Sequence, residues 1–409
     1  MSIEIRNVAP DEYVAAIEVI STAFLERPDV PKVAEWVRDR WDADRTWIAW
    51  DGTRACGTFR SWATDLTVPG GATLPAAAVS AVTVLPTHRR RGILTAMTAT
   101  EHAAIRERGE AVGILYASAY PIYGRFGYGP ATRTGTVTVE APRTGFHGAL
   151  VTGVELVTAD ETVRDEVRAV HEAWRVRRAG EIRRRPGSFD VRLGLAEDPW
   201  EGRWKGFLAL HRDEGGAVDG FARYKTQMRW TEGHGRGVVE VEELYGLTDE
   251  AYAALWRFLA EMDLVATVKA DGRPVDERLP WLVTNARAVR VTDLVDGLWV
   301  RLFDVPRALA ARTYAATASL VLEVPDEAAP GGRWRLVLDA SSDGALCRPA
   351  DREADLVVPV MALGAAYLGG TRLRDAVTGT GFEERTPGAL AIADRLFRTA
   401  DEPWCSTGF

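Results

Sequence analysis

The chain has 409 residues, 46% hydrophobic and 26% charged, with a net charge of -8, the balance of an ordinary folded protein. That length predicts two or three domains, each able to bury its own core. Three scattered cysteines (Cys56, Cys347, Cys405) argue against a disulfide scaffold, no Cys/His spacing suggests zinc, and no charge-free apolar run is long enough to span a membrane.

Met1–Asn7 lacks the apolar core of a signal peptide, so the cytoplasm is the expected location. Ile3–Asn7 reads as a strand and Pro10–Phe24 as a helix with Asp11 and Glu12 in its first turn. Trp47–Trp50 and Cys56–Ala63 read as antiparallel strands around an Asp51-Gly52 turn. Glu4 and Trp36, with nearby aromatics, could line a substrate pocket; core packing suits most of them.

Next comes an apolar β-rich run, Ala78–Leu85, broken at Pro86 and followed by Arg89-Arg90-Arg91-Gly92. Ile93, Leu94, Met97, Ala104 and Ile105 then recur at three- and four-residue intervals, the stripe of an amphipathic helix. Backbone N–H groups, the positive end of a helix dipole and three guanidinium groups meet at one point, which suits a polyanionic phosphate. Arginine triplets are also commonly solvated faces or nucleic-acid patches. The position between a strand and a helix, in a net acidic chain, favours phosphate. Gly109 ends the helix and Val112–Ser118 reads as a second buried strand, parallel to the first.

Strand, Arg-rich Gly loop, helix and parallel strand resemble the core of the GCN5-related N-acetyltransferases. The resemblance implies that the loop amides hold the pyrophosphate of acetyl-CoA, with Leu94 standing where the family carries a small residue. Ser118–Thr132 then packs Tyr120, Tyr123, Phe126 and Tyr128 among glycines. In that fold the thioester lies between the splayed ends of the two strands, where a phenol can protonate the departing thiolate. Some of these aromatics must simply pack a turn.

Val238–Leu259, followed by Leu264–Lys269, repeats the strand–loop–helix–strand order. Here Thr248-Asp249-Glu250 replaces the arginines: Thr248 suits an N-cap, and the acids suit the helix dipole but repel phosphate. We read a second acetyltransferase-like domain without cofactor binding. Beyond Gly297, strands are expected at Leu298–Phe303, Leu320–Val324 and Trp334–Asp339, and helices at Val305–Tyr314, Met361–Leu368 and Leu390–Phe397, a third α+β unit. The expected domains are 1–140, 141–294 and 295–409.

The string Ile122-Tyr-Gly-Arg-Phe-Gly-Tyr-Gly-Pro-Ala131, with Asp296–Phe303, Val305-Pro306, Tyr367-Leu-Gly369 and the aromatic Phe409, resembles the Eis acetyltransferases along essentially the whole chain. The resemblance implies an α/β (α+β) architecture of two tandem acetyltransferase-like domains and a sterol-carrier-protein-like domain. It implies acetyl-CoA as donor, no metal, and binding by Val82, Thr83, Val84, Arg90, Arg91, Gly92, Ile93, Leu94, Thr95, Ser118 and Ala119. It matches Tyr123 to the proton donor and the terminal carboxylate of Phe409 to the base. It further implies a homohexamer acting on primary amines of polycationic small molecules, as in aminoglycoside resistance, with neither nucleic acid nor membrane as partner.

The chemistry accords with that implication. His88 faces the phosphate loop and His102 is placed on the polar side of its helix, so neither suits a base beside the thioester. An α-carboxylate, ordinarily near pH 3.5, becomes a stronger base once desolvated. Asp401 and Glu402 in the same tail suit a cationic acceptor. Protein-lysine acetylation and a non-catalytic CoA or lipid sensor are the other readings; Tyr123 and Phe409 argue against the sensor.

Overall fold

The computed structural model describes residues 3–148, 153–326, 328, 329 and 332–409. A first seven-stranded sheet runs in the order Ile3–Asn7, Thr46–Asp51, Arg54–Thr67, Thr73–Val84, Val112–Tyr116, Leu298–Leu302, Gly129–Pro130. Its long central hairpin, Arg54–Thr67 with Thr73–Val84, turns at Gly70 and Gly71, whose φ values of 96° and 83° favour glycine. The helix Ile93–Glu107 buries Ile93, Met97 and Ile105 on this sheet, as the stripe predicts. Each such side chain contributes about 1.5–3 kcal/mol.

The second sheet is ordered Val289–Asp296, Arg133–Glu140, Val265–Pro274, Gly237–Gly246, Val218–Gln227, Phe207–Arg212, Val154–Val157. Gly237–Gly246 and Val265–Pro274 pair in parallel across the helix Asp249–Ala260, the unit expected from the sequence. The third sheet has five strands, Gly344–Pro349, Gly332–Ser341, Ala318–Asp326, Leu356–Val357 and Glu383–Glu384. Helices Val360–Ala366 and Ala389–Phe397 pack within this unit's core.

Sheet membership crosses the expected boundaries. Arg133–Glu140 hydrogen-bonds in the second sheet, and Leu298–Leu302 completes the first. The third domain then docks on that borrowed strand. Gly364 sits so close that a Cβ would lie 2.3 Å from the Val300 carbonyl oxygen, and one at Gly129 would lie 2.1 Å from that of Met361. A buried Arg301–Asp326 ion pair at 2.6 Å joins the same two units.

The helix expected over Val305–Tyr314 stops at Ala310. Thr313 N–H turns to the Pro69 carbonyl and Tyr314 N–H to that of Ser341, so tertiary partners replace the next helical bonds.

Candidate active site

The phosphate-type loop is built by backbone conformation. After a short 3-10 turn at Pro86–His88, Arg90 (φ 62°) and Gly92 (φ 79°) adopt left-handed conformations and Gly92 caps the helix Ile93–Glu107. No side chain caps this helix, so its first amides stay available. A Cβ at Gly92 would meet nothing within 4 Å; glycine is there for its φ and leaves open space over the amides.

A cavity of about 640 Å³ covers this loop and is lined by Val82–Val84, Arg89, Arg90, Gly92–Thr95, Ser118, Ala119 and Tyr123. Of the residues expected to bind cofactor, Arg91 alone does not line it. Its guanidinium donates to Asp51 at 2.8 Å, while the neighbouring Arg89, absent from the expectation, takes a place in the wall.

The opening between the strands has a backbone cause. Parallel pairing of Thr73–Val84 with Val112–Tyr116 covers Ala76–Val79 and ends at Val79–Leu115. Past Ser80 the hairpin register shifts and Ala81 takes φ 48°, a bulge that turns the strand away. On the side of Val112–Tyr116, Val82 and Val84 therefore border the cavity, the place for amides that would polarise a thioester carbonyl.

Tyr123 projects into the same cavity from the turn before Gly124–Phe126 and is 6% exposed. Burial raises its pKa above the ordinary phenol value, with Ser118 opposing, so the phenol stays protonated at neutral pH. Phe126 and Tyr128, by contrast, pack in the core beside it.

The last residues are threaded between the domains. Tyr116, the final residue of its strand, donates to the carbonyls of Cys405 (3.1 Å) and Thr407 (3.3 Å). Buried Glu181 accepts from Ser406 N–H at 2.8 Å and from its hydroxyl at 2.5 Å, and Tyr245 meets that hydroxyl at 2.6 Å. Arg184 donates to the Thr407 hydroxyl at 3.1 Å, and Trp404 donates to the Gly272 carbonyl at 2.7 Å. Each neutral bond of this kind contributes about 0.5–1.5 kcal/mol, and those to a carboxylate more.

The clamp delivers Phe409 to a fixed seat. Its ring lies edge-on to Trp62 (5.8 Å) and Tyr116 (5.2 Å), and Tyr116 is two residues before the cavity-lining Ser118. The family resemblance named Tyr123 and Phe409, which the structure places in the walls of the two cavities, and it named none of Tyr116, Glu181, Arg184 and Tyr245. Tyr116, at the end of a buried strand, carried a local signal; the others did not.

Thr407–Phe409 also line a second cavity of about 1380 Å³, walled by Trp36, Trp62 and Trp204. Trp36 thus belongs to a pocket, whereas Glu4 pairs with Arg6 at 3.4 Å. Two sequence readings are corrected here. Asp401 and Glu402 lie away from this cavity: Asp401 lines two smaller ones, and Glu402 pairs with Arg398. His102 is buried, not on a polar face, because Phe303 (4.8 Å) and Tyr128 (5.7 Å) cover that side of the helix. Burial, then Arg301 and Arg106, push its pKa down to about 2, so it is neutral.

Residues 4–131 and 180–302 each match a family described as an acetyltransferase (GNAT) domain, and 305–406 match a sterol carrier protein domain. The fold and its phosphate-type cavity are those of an N-acetyltransferase built from two GNAT domains and a sterol-carrier-protein-like domain. The chain is 40% identical over 420 residues to an N-acetyltransferase of Streptomyces griseus, with 100% of both chains covered. It is 39% identical over 317 residues to N-acetyltransferase Eis of Mycobacterium tuberculosis, covering 75% of this chain and 74% of that one. Eis1 from Mycobacterium abscessus superposes with a TM-score of 0.85 at 34% identity, with 100% of both chains covered. The chain belongs to the Eis family of GCN5-related N-acetyltransferases.

Among the described residues there is no group of three or more His, Cys, Asp or Glu suited to a metal, and no helix long and apolar enough to cross a membrane.

Proposed function

We propose that this enzyme transfers the acetyl group of acetyl-CoA to primary amines of small molecules, polycationic ones included, through the cavity beside Phe409. The observation that carries the reading is that phosphate loop, strand opening and Tyr123 share one cavity, while Phe409, in the wall of the larger cavity, packs against Tyr116, two residues before cavity-lining Ser118. Asp39 and Glu201 support a cationic amine group in the acceptor, since they line the larger cavity and have no ion-pair partner among the described residues.

In the proposed reaction the neutral amine attacks the thioester carbon, and the C–N bond forms as the carbonyl π electrons move onto oxygen. Amides at Val82 and Val84 stabilise that oxyanion. Collapse breaks the C–S bond, Tyr123 protonates the departing sulfur, and the Phe409 carboxylate takes the proton lost by nitrogen. The loop residues Arg90 and Gly92–Thr95 would hold the donor's pyrophosphate.

The second acetyltransferase-like domain serves as the holder of the tail and binds no donor. Exposed Trp281, Leu294 and Val295 support contacts between copies of the chain, and the hexamer that the family resemblance implies would cover them. Thiol release from acetyl-CoA with a panel of amines, aminoglycosides and a lysine peptide among them, tests the reading. Turnover with small amines is expected, and no thiol release with any amine would overturn it.

A further inference from the structure

The large cavity carries both signs of charge, and its cations differ in kind. Arg184 (3.0 Å), Arg223 (2.9 Å) and Arg192 all bind Glu243, and Arg223 also binds Glu242, so their guanidinium groups are engaged within the wall. Arg185 is not so occupied. Its guanidinium lies over the Trp62 ring at 4.6 Å, and among the described residues it makes no ion pair or hydrogen bond.

A second arginine stands behind it. Arg60 lies two residues before Trp62, on the same face of its strand, and its guanidinium covers the Trp41 ring at 4.3 Å. Arg60 is 3% exposed, and its Nε and one terminal nitrogen are buried without a hydrogen-bond partner. Asp42 is the carboxylate that faces both arginines, and it forms an ion pair with neither. Burial and then repulsion from Arg185 depress the Arg60 pKa, and burial lowers Arg185 to about 10.

Two neighbouring guanidinium groups without partners, one of them buried, are unfavourable unless an anion completes the site. Trp62, the ring beneath the Arg185 guanidinium, is also the ring against which Phe409 packs. An anion on Arg185 would therefore sit within one small molecule's reach of the proposed base.

We propose that Arg185, backed by Arg60, is an anion subsite of the acceptor cavity, and that the preferred acceptor is an amine that also bears a carboxylate or phosphate. This rests on the acetyl-transfer reading above and narrows its substrate class. Arg185 holds the anionic group by charge-assisted bonds while the amine reaches the thioester. The aromatic stacking fixes the guanidinium plane in advance.

The test uses thiol release by the full-length enzyme with matched pairs: 6-aminohexanoate against 6-aminohexanamide, and 2-aminoethyl phosphate against ethanolamine. The anionic member of at least one pair should be preferred in kcat/KM by about tenfold or more, chiefly through KM. The pair that shows the preference tells carboxylate from phosphate. In R185Q the ratio should fall toward one, and R185K should keep part of it; R60Q should weaken it further if it folds.

No turnover with any amine would overturn the acetyl-transfer reading and this proposal together. Turnover without preference for the anionic member, or a preference that survives R185Q, would overturn the subsite alone. An equal loss of kcat on both members of each pair would also overturn it, because the guanidinium would then serve the Phe409 carboxylate.

Discussion

The first and second domains carry the same strand–loop–helix–strand unit with opposite chemistry at the loop. In the first, left-handed Arg90 and Gly92 leave the helix amides uncapped beneath open space, with Arg89 and Arg90 in the wall. In the second, the Thr248 hydroxyl accepts from Ala251 N–H at 3.1 Å and donates to Asp219 at 2.8 Å. Asp249 and Glu250 occupy the first turn, and a Cβ at Gly246 would lie 2.6 Å from the Tyr252 nitrogen. One loop is an opening shaped for an anion. The other is a finished cap with no room and the wrong charge. A fold repeated in one chain thus acquires a site only where loop conformation leaves backbone donors unsatisfied.

The contrast can be broken at the tail that the second domain holds against the first. Adding a few residues after Phe409 converts its carboxylate to an amide. This should lower kcat by a factor of about 10²–10⁴, with acetyl-CoA binding retained; an N-terminal tag serves as control. Full kcat in the extended enzyme would place the base elsewhere.

Y123F keeps the ring and removes the acid, and steady-state kinetics should show kcat down about 10²-fold with the donor KM little changed. Because burial raises the Tyr123 pKa, the phenol stays protonated as pH climbs through neutrality. The alkaline fall in wild-type kcat assigned to this group should therefore lie above about pH 10, the ordinary phenol value. A fall centred near pH 8 would contradict that assignment.

Replacing Arg89 and Arg90 with alanine should raise the acetyl-CoA KM about tenfold or more, since charge-assisted phosphate contacts contribute about 1.5–3 kcal/mol. The matching change in the second domain, T248A, removes a cap. It should cost about 1 kcal/mol of stability in denaturant titration and leave the donor KM unchanged.

Local features were legible in the sequence. Ile93–Ile105 gave the helix stripe, Arg89–Gly92 the loop and Thr248 its cap, because each depends on neighbours a few residues away. Tyr123 and Phe409 were legible only through family resemblance. The tail clamp was not, since Glu181, Arg184 and Tyr245 meet residues 406 and 407 across 161 residues or more. The exchange of Arg133–Glu140 and Leu298–Leu302 between sheets has the same cause: strand patterning shows that a segment pairs, not with which sheet. His102 was misplaced for a related reason, because Phe303 and Tyr128 bury a helix face that its own sequence leaves polar.

Calorimetric titration of the full chain with acetyl-CoA tests the central contrast most directly. The two loops predict one donor bound per chain, with affinity lost on replacing Arg89 and Arg90 and unaffected by T248A. Two donors per chain, or binding that survives loss of both arginines, would contradict it.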